Sequence, residues 1–164
     1  MNNRGEIMNI SDNCINMIKE FEGYKLKPYK LAGEQYYTVG YGHYGADVNP
    51  NKRYTKKEVE ALLISDLDRF VKGVLRYDKI YHFNQNELDS LTSFAYNVGS
   101  IDGLTAKGSR SRKEIAYFMR KYVKGSNGQT LEGLVKRREK ERELFLTPVS
   151  SGIIEDDLQS ISGR

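Results

Sequence analysis

Phe21-Glu22-Gly23, followed after a short hairpin-like segment by Tyr37-Thr38-Val39-Gly40-Tyr41-Gly42-His43, is the stretch from which the fold is read. It places a carboxylate at the end of a helix, and Thr38 and His43 on or just after a strand that returns beside it. Sixteen positions separate Glu22 from Thr38, room for two short strands at roughly 3.3 Å per residue and a turn. Upstream, Ser11 is a good N-cap, and Cys14, Ile15, Ile18 and Phe21 recur at helical spacing before Gly23 offers a left-handed exit. Glu22 therefore closes the helix. There the negative end of the helix dipole and partial burial both disfavour its anion, the condition a general acid needs at neutral pH.

Downstream, Lys25 to Tyr41 is rich in aromatic and β-branched residues with Gly33 at the turn, which predicts two or three short antiparallel strands. Tyr44 to Tyr54 reads as loop. Thr55 and Glu58 then form a capping box leading Val59, Leu62, Leu63, Leu67, Phe70 and Val74. About 20 residues of helix would run roughly 30 Å, long enough to bridge a small lobe and a larger one. Asp66 falls four residues from both Leu62 and Phe70 and so points inward to a partner, His43 being the candidate, unless it sits at the margin of the stripe and reaches water.

Asn84 with Glu87 caps a helix that stops at Gly99, with Asn97 near its end; Ser111 with Glu114 caps another, carrying Ile115, Phe118, Met119 and Tyr122. A last helix runs from about residue 130 to 145, its apolar side marked by Leu131, Leu134, Val135 and Phe145. At 100° per residue Arg138 falls inside that stripe and Arg137 at its edge. An inward arginine wants a carboxylate, either Glu141 one turn on or Glu22. After Pro148 the chain turns polar and acidic and reads as a flexible tail, 149–164.

The 164 residues suit one domain with a sizeable core, and no apolar run approaches the roughly 20 residues of a membrane span. Residues 1–10 are polar and lack the apolar core of a signal peptide, so synthesis in the cytoplasm is expected. Cys14, the single cysteine, falls on an apolar helix face and is expected to be an inert core residue. His43 and His82 have no partners at metal-ligand spacing, and neither metal nor cofactor is expected. A net charge of +4 makes an anionic partner plausible. The alternating charges of residues 136–143 read as a solvated helix face, which argues against a nucleic-acid-binding module.

Phe21-Glu22-Gly23, Leu26-Lys27-Pro28-Tyr29, Tyr37 to His43, Phe94-Ala95-Tyr96-Asn97-Val98-Gly99 and Gly133-Leu134-Val135-Lys136-Arg137-Arg138 with Glu141 occur in the order seen in phage-type lysozymes, glycoside hydrolase family 24, which includes the lysozyme of T-even phages. The likeness runs from about Ile10 to Leu146. It implies an α+β, lysozyme-like fold: a small antiparallel sheet lobe, about residues 20–55, and a larger helical lobe joined by a long helix, within one catalytic domain of residues 1–148. It implies hydrolysis of the β-1,4 bond between N-acetylmuramic acid and N-acetylglucosamine in peptidoglycan by a monomer that acts on the cell wall and depends on a holin for release. By the same resemblance Glu22 is the catalytic acid and Thr38 positions the attacking water. His43 pairs structurally with Asp66, Asn97 faces substrate, and Arg137 stands near the glutamate, one residue from the helical-wheel choice.

One position departs from the family pattern. Many members carry an aspartate or cysteine nine residues after the glutamate; here that residue is Leu31, or Ala32 if the hairpin's extra residue is allowed for. An inverting glycosidase places two carboxyls about 6.5 to 9.5 Å apart. Glu34 is the first substitute and Asp47 the second, although Glu34 also reads as a solvated turn residue. Without either, Thr38 and the backbone would hold the water. Tyr36, Tyr41 and Tyr44 are candidate sugar platforms. The alternative reading is a peptidoglycan-binding relative without turnover.

Overall fold

The computed structural model describes residues 8–149; from residue 150 on, the expected tail lies outside the described residues. The elements are α1 (Asp12–Glu22), β1 (Lys25–Tyr29), β2 (Tyr37–Gly40), β3 (His43–Gly45), α2 (Lys56–Leu75), α3 (Asp78–Tyr81), α4 (Gln85–Val98), α5 (Arg112–Met119) and α6 (Glu132–Leu146). The capping boxes Thr55/Glu58, Asn84/Glu87 and Ser111/Glu114 all form, and each starts its helix where the sequence predicts. Ser11 caps α1 by accepting from the Cys14 amide, and its own amide and hydroxyl donate to Asp89 of α4. One serine thus both starts α1 and fastens it to the helical lobe.

Gly23 ends α1 with φ 61° but ψ −179°. The positive φ expected of this glycine is present, but ψ is not that of an αL cap, and the chain passes directly into β1. The sheet has the order β1-β2-β3, all antiparallel, with Thr38 opposite Tyr29 on one side and Tyr44 on the other. β3 falls where the sequence reads as loop; three residues are too few to display an alternating pattern. The sheet lies hard against α2 at Gly40, where a Cβ would sit 2.6 Å from the Val59 Cβ.

α2 is shared by two apolar clusters. Val59, Leu63 and Leu67 pack with Cys14, Ile18, Val39, Tyr41 and Val48, whereas Val71 and Val74 pack with residues including Leu88, Leu91, Phe94, Ile115 and Phe145. The architecture is α+β and lysozyme-like, with the long helix bridging as expected. The sheet-side cluster also takes in α1, through Cys14 and Ile18. Cys14 is fully buried, and burial foremost, followed by the Asp89 charge, holds its thiol far above the ordinary range. Among the described residues no helix is long and apolar enough to cross a membrane.

The helical lobe differs from expectation in two places. α5 stops at Met119, so Tyr122 lies beyond it and meets the Phe94 ring edge-on at 4.9 Å. On α6 the inward stripe is charged: Arg137, Arg138 and Glu141 are 4, 1 and 0% exposed, while Leu131 is exposed. Phe145 of the expected apolar side is buried with them and the wheel's inward Arg138 is found inside; what an apolar wheel does not show is that Arg137 and Glu141 are buried beside it as ions.

Candidate active site

Glu22 is the last residue of α1, its side chain 24% exposed, and Arg137 of α6 meets it from behind. The Arg137 Nη1 donates to Glu22 Oε1 at 2.6 Å, Nη2 donates to the Ser93 carbonyl at 3.0 Å, and Nε donates to Glu141 Oε2 at 3.3 Å. Its guanidinium also lies 5.0 Å from the Phe21 ring centre. The cation counters the helix dipole that disfavours an anion at this helix end, and its charge is shared with Glu141.

Both arginines of the pair face inward. Arg138 does not reach Glu22; its Nη2 donates to Asn97 Oδ1 at 2.8 Å, its Nε lies 2.7 Å from Glu141 Oε1, and its guanidinium sits over Phe94. Of the two sequence routes, the resemblance finds the partner of Glu22, and the helical wheel finds the more deeply buried residue. Glu141 serves both cations and also accepts from the Ser93 hydroxyl at 2.6 Å. Burial pushes the Glu141 carboxyl up, against the pull of Arg138, Ser93 and Arg137, and burial likewise pushes the Arg138 guanidinium down.

A recess of about 500 Å³ opens beside Glu22. Tyr41, His43 and Tyr44 wall it from the sheet lobe, Asp66, Arg69 and Phe70 from α2, and Tyr96 and Asn97 from α4. His43 is clamped by two carboxylates, with Nδ1 at 2.8 Å from Asp66 and Nε2 at 2.9 Å from Asp47. Burial pulls the imidazole pKa down, but the hydrogen bonds and charges of Asp66 and Asp47 together outweigh it and leave it above the ordinary 6.5. The inward reading of Asp66 is the one the structure adopts, and Asp47 adds a second partner.

The substitutes for the missing carboxylate fare differently. Glu34 folds back on its own turn, its Oε2 accepting from the Leu31 amide at 3.0 Å, and it does not line the recess. The reason is local: a carboxylate three residues beyond a turn amide caps it in place. Asp47 is committed to His43, and Leu31 is 61% exposed at the position where a carboxylate was expected. Thr38 lies on β2, 8% exposed, and like Glu34 is not among the residues that line the recess; its hydroxyl makes no hydrogen bond among the described residues.

Of the tyrosine platforms, Tyr41 and Tyr44 reach the recess, while Tyr36 stands beside Tyr44 with ring centres 5.6 Å apart. Sequence reasoning passed over Tyr96, Arg69 and Phe70. The Tyr96 hydroxyl donates to the Tyr41 carbonyl at 2.8 Å, tying α4 to the sheet lobe, and burial first, then Glu22 and Asp66, hold its phenol well above the ordinary range. Its signal was adjacency to Asn97 in the quoted motif.

Residues 19–141 match the model of the family described as phage lysozyme. The chain belongs to the phage lysozyme family. Within that family it is 44% identical over 152 residues to the endolysin of Bacillus phage B103, covering 89% of this chain and 57% of that protein. It is 39% identical to the endolysin of Lactococcus phage c2, covering 88% and 63%. The chain thus spans a little over half the length of these curated relatives. Among solved structures it resembles the muramidase domain of SpmX from Asticaccaulis excentricus, at 31% identity and TM-score 0.73, covering 87% of this chain and all of that one. The endolysin from Escherichia coli O157:H7 phage FAHEc1 superposes at TM-score 0.72 and 28% identity, over 89% and 98%. The family match covers residues 19–141 of the described residues 8–149.

Proposed function

We propose that this chain is an endolysin-type muramidase that hydrolyses the β-1,4 bond between N-acetylmuramic acid and N-acetylglucosamine, by the chemistry of glycoside hydrolase family 24. The observation that carries the reading is Glu22, part-exposed at a recess between the lobes and backed by the buried Arg137. Names of relatives, endolysin and muramidase domain, support the substrate class.

Glu22 acts as the general acid. Before substrate binds, the cation of Arg137 is divided between Glu22, the Ser93 carbonyl and Glu141, so it does not belong to Glu22 alone. A sugar ring closing the recess removes water from around the Glu22 carboxyl and strengthens the electrostatic interactions there. When the proton passes to the leaving oxygen, the carboxylate that remains is stabilised by the 2.6 Å contact with Arg137, an interaction stronger after transfer than before it. Glu34 has no part in this mechanism. Thr38, whose hydroxyl is uncommitted, holds the attacking water from the sheet side. Asn97 and Tyr41 contact the glycan, and Asp66 with Asp47 keeps His43 fixed in the wall.

Clearing of purified cell walls by the wild type and by Glu22→Gln tests the reading. General acid catalysis contributes about 10²–10⁴ in rate, so the variant should lose that much while still sedimenting with walls. Clearing by Glu22→Gln at close to the wild-type rate would remove Glu22 from its role.

A further inference from the structure

The positive charge of this chain is concentrated in one lobe. Residues 24–57, the sheet lobe and the start of α2, hold seven lysines and arginines against two carboxylates, a net charge of +5 in a chain whose total is +4. The remainder of the chain is therefore close to neutral. Both carboxylates are already engaged, Glu34 with its own turn and Asp47 with His43. Lys25, Lys27 and Lys30 follow β1 and the turn after it, and the other four cations lie in residues 52–57; all seven are exposed. Among the described residues only Lys52 of the seven has an ion pair, with Glu58.

The two groups of cations form one surface. The Tyr54 amide donates to the Leu26 carbonyl at 2.9 Å, which lays residues 52–54 along the outer edge of β1. Lys56 sits over the Tyr24 ring at 5.4 Å, and Tyr24 meets Tyr41, in the wall of the Glu22 recess, with ring centres 5.5 Å apart. Lys25, Lys30 and Lys52 stand over Tyr29, Tyr37 and Tyr54 at 4.9, 5.6 and 4.6 Å. A tyrosine face holds an ammonium in place but leaves its charge uncancelled. Fold stability does not call for this arrangement. Lys56 and Lys57 open α2, where the helix dipole disfavours cations. Lysines on an edge strand deter pairing with other chains, which accounts for Lys25 and Lys27 but for none of the four cations in residues 52–57.

We infer that this face of the sheet lobe binds a phosphodiester polymer of the cell wall, a polyol-phosphate chain running beside the glycan that Glu22 cuts. The setting, though not the binding, rests on the muramidase reading. Six of the seven cations are lysines, compact point charges that suit phosphate without the fixed two-pronged geometry by which arginine takes a carboxylate. Such contacts can follow a flexible polyanion through many registers, and together they hold the enzyme at the wall while strands pass through the recess. Nucleic acid offers the same phosphates, but single strands gain most from bases stacked on open aromatic faces, and here the rings of Tyr24, Tyr29, Tyr37 and Tyr54 are already covered by lysines.

Calorimetric binding of a purified polyol-phosphate polymer, at low and at physiological salt, tests the surface. Wild type is compared with Lys27→Gln/Arg53→Gln/Lys57→Gln and with a helical-lobe control, Lys79→Gln/Lys113→Gln/Arg120→Gln, which removes the same charge. All six side chains are exposed, so the three proteins should share one Tm. Wild-type binding should weaken as salt rises. At low salt the sheet-lobe variant should bind about ten-fold more weakly, the combined worth of three exposed charge contacts, and the control within about two-fold of wild type. No binding by the wild type, no loss in the sheet-lobe variant, or an equal loss in both variants overturns the assignment. Tighter binding of duplex DNA than of the polymer at equal phosphate concentration would give the face to nucleic acid and refute it. Cutting of phosphate-free glycan strands is the separate readout and should be the same in all three proteins. A loss there in the sheet-lobe variant would mean that these cations serve the glycan, against the assignment. If the wild type cuts no glycan, the muramidase reading fails while the binding result still decides this face.

Discussion

Glu141→Gln isolates the buried ion cluster that holds the site together. Glu141 is fully buried, with Arg138 Nε at 2.7 Å, Arg137 Nε at 3.3 Å and the Ser93 hydroxyl at 2.6 Å. Glutamine keeps the shape and can still accept from Ser93, but it withdraws the negative charge and turns an NH₂ donor toward guanidinium groups that only donate. Burial already pushes Glu141 up and Arg138 down, so forming the cluster gains little against an apolar core. Breaking it is another matter, because two cations stay buried with one carboxylate fewer. The expected cost is about 3–5 kcal/mol. For a protein of this size each kcal/mol moves Tm by roughly 2–4 °C, so a fall of about 10 °C is expected. Urea titration with an unchanged m value would show that the native state, and not the compactness of the unfolded chain, is affected. A loss below about 1 kcal/mol would refute the reasoning and mean that the arginines find other partners or water.

Three further outcomes follow from the geometry. Gly40→Ala should lower stability by about 2–4 kcal/mol in a urea titration, since φ is +67° and the new Cβ would meet the Val59 Cβ at 2.6 Å; an effect under about 0.5 kcal/mol would contradict the tight sheet-to-α2 approach. His43 has a folded pKa above its ordinary 6.5, so its contribution is complete below that value and is lost as pH rises through the folded pKa. The Tm gap between wild type and Asp66→Asn should therefore be wide near about pH 6 and narrow toward about pH 9, and a gap that widens instead would oppose the assignment. Glu34→Gln should leave cell-wall clearing within about three-fold of wild type, because its carboxylate caps its own turn; a loss of about 10²-fold would restore it as the catalytic base.

Elements that announce themselves through local chemistry were legible in the sequence. Three capping boxes gave three helix starts, Ser11 gave a fourth, and the stripe from Val59 to Val74 gave the bridging helix. The pairing of His43 with Asp66 was legible because a carboxylate on an apolar face must have a partner. What escaped depends on contacts distant in sequence. Glu34 looked like a substitute base by proximity to Thr38, but a turn amide claims it. The Arg137/Arg138 ambiguity dissolved because both are buried, each with its own partner across the lobe. Tyr96 and Arg69 acquire their roles only when α4 and α2 meet the sheet, and β3 is too short to carry a pattern of its own.

The central claim is hydrolysis initiated by Glu22, and digestion of purified peptidoglycan in ¹⁸O-labelled water, with mass spectrometry of the released fragments, tests it most directly. Wild-type protein should yield reducing N-acetylmuramic acid ends that carry the label, and folded Glu22→Gln should yield them at least about 10²-fold more slowly. Unlabelled anhydro ends would mean intramolecular transfer in place of hydrolysis, and labelled ends released at similar rates by both proteins would show that Glu22 is not the acid.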